Sequence, residues 1–524
     1  MESGRETPRL KVKENWFRGV VIALVLVWTF QLISVIYRRR NRLKLPPGPP
    51  RWPVLGNLLS LGKMAHHDMA NLSRKYGELM YLKLGVVNSV VVSSPEMAKE
   101  FYKVQDSVFS GRPRGFQSKV MFYDSQDLIL SVGDHWRFIR KVAAVELFSP
   151  KRIKEFTDAR REEIMITALQ MLEKGKAGET VKADGVLLAL SFNNITRLLF
   201  GKTYYGPKAT GEPADSAEFQ RLIMANNAAG FLVIGDFLPF LKFLDLGGTK
   251  AKMRMNAQAF DAFLSKRLNE HRMKGPSEQS GIAIVDALLQ IQREDTALTD
   301  NTIKGLLLDM ILAGAETVSD VKQWALTELM RHPEILQKVA VELDDVVGRD
   351  RLVEEADLVQ LTYLQAVVKE TFRLHPVLPF LVPHESLADT KVAGYDIPKG
   401  TRVFFNTYGM GRDPKIWEDP LTFNPDRFVN SPINVKGQCY ELTPFGSGRR
   451  ICVGLNYAMI LIDFTLAQLL HMCELSLPHG MKPSDVDVEE SFGEQITVPK
   501  LHPLEIMAKP RLPLNVYSEA GVIF

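Results

Sequence analysis

The first strong pattern in the chain is an 18-residue uncharged run, residues 19–36, after a polar segment at residues 1–15. As a helix, such a run spans about 27 Å, close to the roughly 30 Å hydrocarbon core of a bilayer. A cleaved signal peptide would have a shorter apolar region ending in small residues, but this run ends at Tyr37, before three arginines. The pattern therefore predicts a permanent transmembrane anchor at residues 16–37.

A basic and proline-rich stretch, RRRNRLKLPPGPP at residues 38–50, follows the predicted anchor. Proline fixes the backbone φ angle, so the stretch is expected to act as a stiff hinge. No linker divides the chain after residue 50, and we expect residues 51–524 to form one large domain. Basic residues flank both sides of the anchor, so charge alone does not orient it.

Further along the chain, apolar residues recur mostly at helical spacing. Residues 302–330 contain no proline and are expected to form a single long helix, and the apolar segment that begins at Leu455 is expected to form another. Residues 81–93 are rich in β-branched side chains around a Gly-Val-Val-Asn turn, which predicts a hairpin. The fold class expected from these patterns is mainly α with small β-sheets.

Composition narrows the possible functions. The chain is 46% apolar, and its 65 basic and 61 acidic residues leave a net charge of +4 without a basic block in the body of the chain. A nucleic-acid partner is therefore not expected. Three cysteines in 524 residues cannot form a disulfide framework, and they indicate a reducing compartment, which places the main domain in the cytosol.

The chemical centre of the chain is FGSGRRICVG, Phe445 to Gly454. Cys452 stands just before a predicted helix N-terminus, and the helix dipole together with Arg449 and Arg450 would favour the thiolate, the form that ligates a metal. The glycines allow a tight loop to lie close to a flat ligand. Taken alone, such a cysteine is more often a small buried apolar residue in a turn.

The whole string resembles the signature of the haem-thiolate monooxygenases, the cytochrome P450 superfamily. Phe445, Gly448, Arg450, Cys452 and Gly454 stand at the positions of that signature. The resemblance implies a cytochrome P450 fold, a haem b cofactor bound at this loop, and Cys452 as the axial ligand of the iron.

Other motifs strengthen the resemblance. Trp136 and Arg140, four residues apart on one predicted helix face, match the family's Trp-x-x-x-Arg, and His384 lies in a segment that runs past the haem in plant members. The resemblance implies that these three residues and Arg450 hold the haem propionates. Without it, the first two would suggest only an amphipathic helix with a solvated arginine.

Two further matches concern structure rather than chemistry. Glu370 and Arg373 stand one helical turn apart before Pro376, and Arg427 lies in an Asn-Pro-Asp-Arg-Phe segment. The resemblance implies that these three charged residues form a buried triad. Taken alone, a Glu-Arg pair of this kind says little, because surface pairs are common.

Small residues interrupt the predicted long helix at AGAET, residues 313–317. A helix–helix crossing is one interpretation, because Gly314 in mid-helix costs up to about 1 kcal/mol and something must pack against it. The resemblance implies instead that Glu316 and Thr317 are catalytic and deliver protons to dioxygen. Glu316 replaces the more common Asp of plant members, and Val318 lacks a hydroxyl that is frequent there.

Together these motifs predict a monooxygenase similar to plant A-type microsomal members. Its implied partners are NADPH-cytochrome P450 reductase, dioxygen, membrane lipid and a small-molecule substrate, and its implied location is the endoplasmic reticulum membrane, single-pass, with a cytosolic catalytic domain. The apolar residues 229–248 form either a buried helix pair or, as the resemblance implies, a loop that dips into the membrane.

Substrate identity is expected to depend on apolar segments around the haem. These are residues 109–123, 231–237, 377–382 and 492–496, together with Ala315. Their phenylalanines suit a phenylpropanoid, flavonoid or related aromatic metabolite. Terpenoid or aldoxime oxidation, an oxygen-independent isomerase or dehydratase, and a non-enzymatic haem sensor are the alternatives.

Overall fold

The computed structural model describes residues 43–229, 233–274, 283–491 and 497–519, together with Val25 and Thr29. The rest of the predicted anchor lies outside the described residues, so the anchor remains a prediction. Within the described parts of the chain, one helix, Leu455–Met472, is long and apolar enough to cross a bilayer. Because 72% of that helix is buried inside the protein, it is a core helix here.

Helices make up most of the described structure. In chain order they are α1 Ala65–Tyr76, α2 Pro95–Lys99, α3 Phe116–Val120, α4 Gly133–Val142, α5 Pro150–Glu155, α6 Thr157–Lys176, α7 Ala183–Phe200, α8 Pro213–Ala229, α9 Ile234–Phe237, α10 Thr249–Lys274, α11 Ile284–Glu294, α12 Asp300–Gly314, α13 Glu316–Arg331, α14 Pro333–Val346, α15 Thr362–Leu374, α16 Thr407–Met410, α17 Leu455–Met472 and α18 Leu514–Glu519.

Three small sheets complete the described fold. Their strands are β1 Leu79–Leu84, β2 Val87–Val92, β3 Val181–Lys182, β4 His384–Glu385, β5 Thr390–Val392, β6 Tyr395–Ile397, β7 Arg402–Phe405, β8 Cys473–Ser476 and β9 Glu505–Pro510. The largest sheet has the order β1-β2-β7-β4, the second β3-β9-β8, and the third pairs β5 with β6. The predicted hairpin is the antiparallel pair β1 and β2. The expected mainly α fold with small sheets is confirmed.

The core is centred on α13, which packs against α7, α15 and α17. Trp324 of α13 is 1% exposed and its indole nitrogen donates to the Val498 carbonyl (3.1 Å). The same ring stacks on His375 with ring centres 4.1 Å apart. These contacts fix α13 against the segment that follows α15.

The prediction of a single helix over residues 302–330 is wrong at one point. Helix α12 ends at Gly314 and α13 begins at Glu316, with Ala315 between them at φ −104° and ψ −57°. The Thr317 hydroxyl donates to the Ala313 carbonyl (2.7 Å) across this break. Low helix propensity at Gly314 and a side chain that competes for a backbone acceptor both favour an interruption here.

The predicted charged triad is present. The Arg373 guanidinium contacts both Glu370 carboxylate oxygens (2.7 and 2.8 Å), and both side chains are fully buried. Arg427 reaches the same carboxylate at 3.1 Å. Removing either partner of a buried ion pair leaves an uncompensated buried charge, which is strongly destabilising. The triad therefore secures α15 to the segment around Arg427.

The apolar stretch at residues 229–248 does not form a buried helix pair in its described part. It contains only α9 and two short 3₁₀ turns, Pro239–Leu241 and Leu246–Gly248. Phe240 and Phe243 are 53% and 81% exposed. The interpretation as an apolar surface loop is the one that remains.

Candidate active site

The cysteine loop closes on itself immediately before α17. The Cys452 backbone N–H donates to the Phe445 carbonyl (3.0 Å), and α17 begins at Leu455. Gly448 has φ +67°, and a Cβ there would lie 2.6 Å from the Tyr102 carbonyl oxygen. A side chain at this position would clash with backbone, so the loop requires glycine.

The Cys452 thiol is accessible, but protein surrounds it closely enough that burial raises its pKa, while the Gly454 backbone N–H and the Arg140 charge act in the opposite direction. The prediction that Arg449 and Arg450 hold the sulfur as a thiolate is wrong. Arg449 pairs with Asp106 at 2.6 Å. A bound metal would supply the charge that deprotonates a coordinating thiol at this position.

Arg450 is instead held by backbone carbonyls and an aromatic ring. Its Nε donates to Ser110 (2.9 Å) and its Nη2 to Ser131 (2.7 Å). Its guanidinium carbon lies 4.1 Å from the centre of the Trp136 ring. The third nitrogen, Nη1, is buried and has no partner among the described residues. The loop thus presents one oriented but unsatisfied donor.

A second buried arginine, Arg112, was not identified from the sequence. Its guanidinium donates to the carbonyls of Ile129 (3.2 Å), Val382 (2.6 Å) and Pro383 (3.0 Å). Burial lowers its pKa to about 10. It follows Gly111 in an irregular segment, where no periodicity marks it. The buried position of Arg112 follows only from the tertiary structure, which brings residues 382–383 against this segment.

Arg112, Arg140 and Arg450 concentrate positive charge in this region. Burial, followed by the charges of Arg112 and Arg140, lowers the pKa of Arg450 to about 9, with Asp127 as the opposing negative charge. The Arg140 side chain forms no hydrogen bond or ion pair with any described residue, and burial lowers its pKa as well. A cluster of cations with so little negative charge nearby favours an anionic ligand.

His384 faces the same cluster from β4. Its Nδ1 contacts the Phe109 carbonyl oxygen at 2.7 Å and must therefore donate, so in the neutral ring Nε2 is an acceptor. Burial and the charges of Arg112 and Arg450 lower the pKa of His384 well below its usual value. A hydrogen bond from His384 to a carboxylate would require a second proton on the ring, so its role as a propionate partner remains a prediction.

Two buried carboxyl groups join the loop before α4 to α12. Asp309 Oδ2 accepts from the backbone N–H groups of Leu128 (2.7 Å) and Ile129 (3.2 Å), and Asp127 Oδ2 accepts from Leu130 (2.9 Å). Burial raises the pKa of Asp127 to about 6 and that of Asp309 well above its usual value. Through these backbone hydrogen bonds the two groups fix the loop that carries the Ser131 carbonyl.

The acid and alcohol at the start of α13 both have hydrogen-bond partners. Glu316 Oε1 accepts from the Asn227 amide of α8 (2.8 Å), and burial raises its pKa. Thr317 donates to the Ala313 carbonyl, so its oxygen remains free to accept from a water molecule. That this pair delivers protons to dioxygen remains a prediction.

The small residues before this pair have different surroundings. A Cβ on Gly314 would lie 3.3 Å from the Ile195 side chain of α7. This close approach of α7 agrees with the interpretation of Gly314 as a helix–helix crossing. Ala315 is fully buried, whereas Ala313 is exposed. Ala313 rather than Ala315 therefore offers the accessible small surface.

Several predicted substrate-lining positions lie elsewhere or outside the described residues. Residues 231–232 and 492–496 are not described. Phe116 lies under the Arg254 guanidinium at 5.0 Å, and Phe122 is buried at 8% exposure. Phe445 packs against Phe372 of α15, with ring centres 5.3 Å apart. From its place in the matched signature, we predict that Phe445 shields the Cys452 sulfur.

The residues present fit a haem group. An accessible thiol stands before a helix, and Arg450 Nη1 is a buried donor without a described partner. The surrounding guanidinium groups suit two propionate carboxylates, and glycine keeps the loop backbone flat against Tyr102. A thiolate ligand with cationic partners for carboxylates is the donor set that a haem-thiolate centre needs.

Comparison with known proteins agrees with this site. The family model described as Cytochrome P450 matches residues 46–502. The chain is 38% identical over 511 residues to a flavonoid 3'-monooxygenase of Petunia hybrida, covering 95% of this chain and 99% of that protein. It is 39% identical over 516 residues to a flavonoid 3'-monooxygenase of Arabidopsis thaliana, covering 96% and 98%. It is also 37% identical over 514 residues to Cytochrome P450 703A2 of Arabidopsis thaliana, covering 95% and 98%. The chain belongs to the cytochrome P450 family of haem-dependent monooxygenases, whose iron carries a cysteine thiolate as axial ligand.

Proposed function

We propose that this protein hydroxylates a flavonoid or a related phenylpropanoid, with NADPH-cytochrome P450 reductase as the electron donor. The observation that carries the substrate class is the full-length similarity to two flavonoid 3'-monooxygenases. The acid and alcohol of Glu316 and Thr317 support an oxygen-dependent reaction, because an isomerase or dehydratase does not need a proton supply to dioxygen.

When bound, haem supplies the reductive activation of dioxygen. Cys452 would provide the thiolate ligand. Arg450 would donate through the free Nη1 to one propionate, and Arg140, which has no described partner, would pair with a carboxylate. Trp136 keeps the Arg450 guanidinium plane in place by stacking, and Arg112 adds positive charge from the opposite segment.

Glu316 and Thr317 would supply protons during the reaction. Burial raises the pKa of Glu316, which keeps the proton on the carboxyl closer to neutral pH, while the Asn227 amide fixes one oxygen. The proton would reach Thr317 Oγ1 through a water molecule as the hydroxyl turns its own hydrogen from the Ala313 carbonyl toward dioxygen, so that Oγ1 accepts one proton and gives up another. Val318 contributes no hydroxyl, so the route depends on this single alcohol.

The proposal places the protein in the endoplasmic reticulum membrane, with residues 16–37 as a single span, residues 38–50 as hinge, and residues 51–524 in the cytosol. The exposed Phe240 and Phe243, near the exposed Leu244, support an additional contact with lipid.

The test combines the full chain, in microsomes, with reductase, NADPH and separate panels of flavonoids, simple phenylpropanoids, terpenoids and aldoximes. We expect a product one oxygen atom heavier from the flavonoid or phenylpropanoid panel, and none without NADPH. Turnover confined to terpenoids or aldoximes would refute the substrate class, and absence of turnover in every panel with intact haem would favour the sensor alternative.

A further inference from the structure

Away from the candidate active site, two histidines and one glutamate converge at the start of α1. His66 and His67 occupy its first turn, and Glu490 lies 424 residues beyond His66. His66 Nε2 is 2.7 Å and His67 Nε2 is 2.8 Å from the same atom, Glu490 Oε2. One ligand atom from each of the three residues lies within 4.8 Å of the others.

Another glutamate in the structure shows how an ordinary hydrogen-bonded arrangement differs. Glu328 also contacts two imidazoles, but through separate oxygens: His375 Nε2 is 2.7 Å from Oε1, and His332 Nε2 is 3.3 Å from Oε2. Arg331 also contacts Oε1 at 3.3 Å, but the two imidazoles approach different oxygens of the carboxylate. At Glu490 both rings approach the same oxygen, which brings the three candidate ligand atoms within 4.8 Å of one another.

The other oxygen of Glu490 is oriented by a cation. Arg412 Nη2 lies 3.9 Å from Oε1, and the Arg412 guanidinium lies over the Tyr408 ring at 3.7 Å. Tyr408 in turn stacks on His67, with ring centres 4.8 Å apart and planes 28° apart. Partners of this kind hold ligand side chains in position around a metal and keep one carboxylate oxygen directed at it.

The three side chains differ in access to solvent. His66 is fully buried and Glu490 is 9% exposed, whereas the His67 side chain is 41% exposed. An ion could therefore enter past His67 and keep a water ligand on that side.

We propose that His66, His67 and Glu490 form a binding site for a divalent transition metal, with Zn²⁺ the ion that fits best and water as its fourth ligand. Two imidazoles, one carboxylate and one open position are a known Zn²⁺ donor set. Bonds of about 2.0–2.1 Å in a tetrahedron place ligand atoms about 3.3 Å apart. The two N–O distances would therefore open by about 0.5 Å, and each Nε2 would give up its hydrogen to Nδ1 or to solvent.

This site would act as a structural link rather than as part of the monooxygenase reaction. It would join the first turn of α1 to the chain at Glu490, beside α16, which carries Tyr408. A metal that binds only the folded chain stabilises the fold. The gain in stability grows with the logarithm of the ratio of metal concentration to Kd. The expected readouts are metal affinity and thermal stability, both independent of turnover.

The test uses the purified, haem-loaded full chain, stripped with a chelator and dialysed against Zn²⁺ alone, with zinc and iron measured together. We expect about one zinc per chain in the unaltered protein. His67→Asn should raise the zinc Kd by at least about 100-fold, since losing even an outer partner of a metal ligand costs about 10–100-fold. Zinc should raise the unfolding temperature of the unaltered protein but not of this variant.

Two matched controls separate this site from incidental binding. His502→Asn changes an exposed imidazole beside Glu489, and Cys439→Ser removes the half-buried free thiol; both should retain the zinc. Glu490→Gln should lose the zinc. Because Glu490 is mostly buried, His67→Asn serves as the second test: if Glu490→Gln fails to fold, the zinc affinity of His67→Asn decides whether the site exists. Equal zinc affinity in His67→Asn and the unaltered protein, or zinc lost in Cys439→Ser, would overturn the proposal.

Discussion

The Arg450 guanidinium lies over the Trp136 indole, with 4.1 Å between its central carbon and the ring centre. This contact joins the cysteine loop to α4. It orients Arg450 so that two nitrogens reach the carbonyls of Ser110 and Ser131 while the third stays unpaired. A planar guanidinium can stack and donate in its plane at once, which an ammonium cannot do.

Arg450→Lys is therefore expected to weaken haem retention. Hydrogen bonds from a charged donor contribute about 1.5–3 kcal/mol, so haem affinity should fall by about 10- to 100-fold. The measurement is haem per chain after gel filtration and the rate of haem transfer to apomyoglobin. Arg449→Lys, at an exposed arginine paired with Asp106, is the control and should behave like the unaltered protein. Equal transfer rates for both variants would contradict the assignment of Arg450.

Cys452→Ser is expected to abolish the strongly red-shifted Soret band of the reduced carbon monoxide complex, because only the thiolate ligand produces it. Cys439→Ser and Cys473→Ser should keep the band. Cys473 is 2% exposed within the core, and the Cys439 thiol donates to the Pro432 carbonyl (3.7 Å). The spectra of the three variants are recorded on preparations of the same size. Retention of the band in Cys452→Ser would refute the ligand assignment.

Thr317→Ala is expected to separate oxygen consumption from product formation. Proton transfer by a positioned group contributes about 10²- to 10⁴-fold, so product per NADPH should fall sharply while peroxide rises. Glu316→Gln should slow turnover, because the amide cannot resupply the proton. Peroxide and product are measured against NADPH consumed. Unchanged coupling in Thr317→Ala would show that water or a substrate hydroxyl already performs this step.

A cytosolic catalytic domain predicts that neither Asn-x-Ser/Thr sequon is glycosylated. Asn71 is the informative one, because its side chain is exposed on α1, whereas Asn194 is 3% exposed and donates to the Leu190 carbonyl (3.0 Å). Endoglycosidase treatment of protein from native membranes should leave its mobility unchanged. A shift that disappears in Asn71→Gln would place the domain in the lumen.

The Asp127–Asp309 pair predicts a stability that falls as pH rises. Each carboxyl has a folded pKa above its unfolded value, so its stabilising contribution is present below the unfolded pKa and is lost as pH rises through the folded pKa, about 6 for Asp127 and higher for Asp309. Asp309→Asn keeps an oxygen for the Leu128 and Ile129 N–H groups but removes the like charge.

We therefore compare the free energy of unfolding of Asp309→Asn with that of the unaltered protein at about pH 5 and about pH 8. The difference should shift by about 1–3 kcal/mol in favour of the variant as pH rises. Thermal unfolding is followed at both pH values, with Asp134→Asn, at a solvent-exposed carboxylate on α4, as control. If Asp309→Asn and the unaltered protein lose stability in parallel as pH rises, the buried Asp127–Asp309 pair does not cause the pH dependence.

Local patterns were enough to predict several parts of the molecule. The β1–β2 hairpin, the shared helix face of Trp136 and Arg140, and the loop-before-helix position of Cys452 each depend on residues a few positions apart. Steric limits on φ and ψ, helix periodicity and glycine conformations act over that range, so the sequence determines these features directly. The family signature then extended the prediction to the buried triad of Glu370, which the structure confirms.

The tertiary structure alone decided where charges and contacts meet. Arg449 lies beside Cys452 in the sequence, yet it pairs with Asp106, while the unpredicted Arg112 approaches the site from a different segment. Gly314 packs against Ile195, and Asp309 binds the loop at Leu128. Burial and Coulomb energies depend on distances between segments that are far apart in the chain, and periodicity carries no information about those distances.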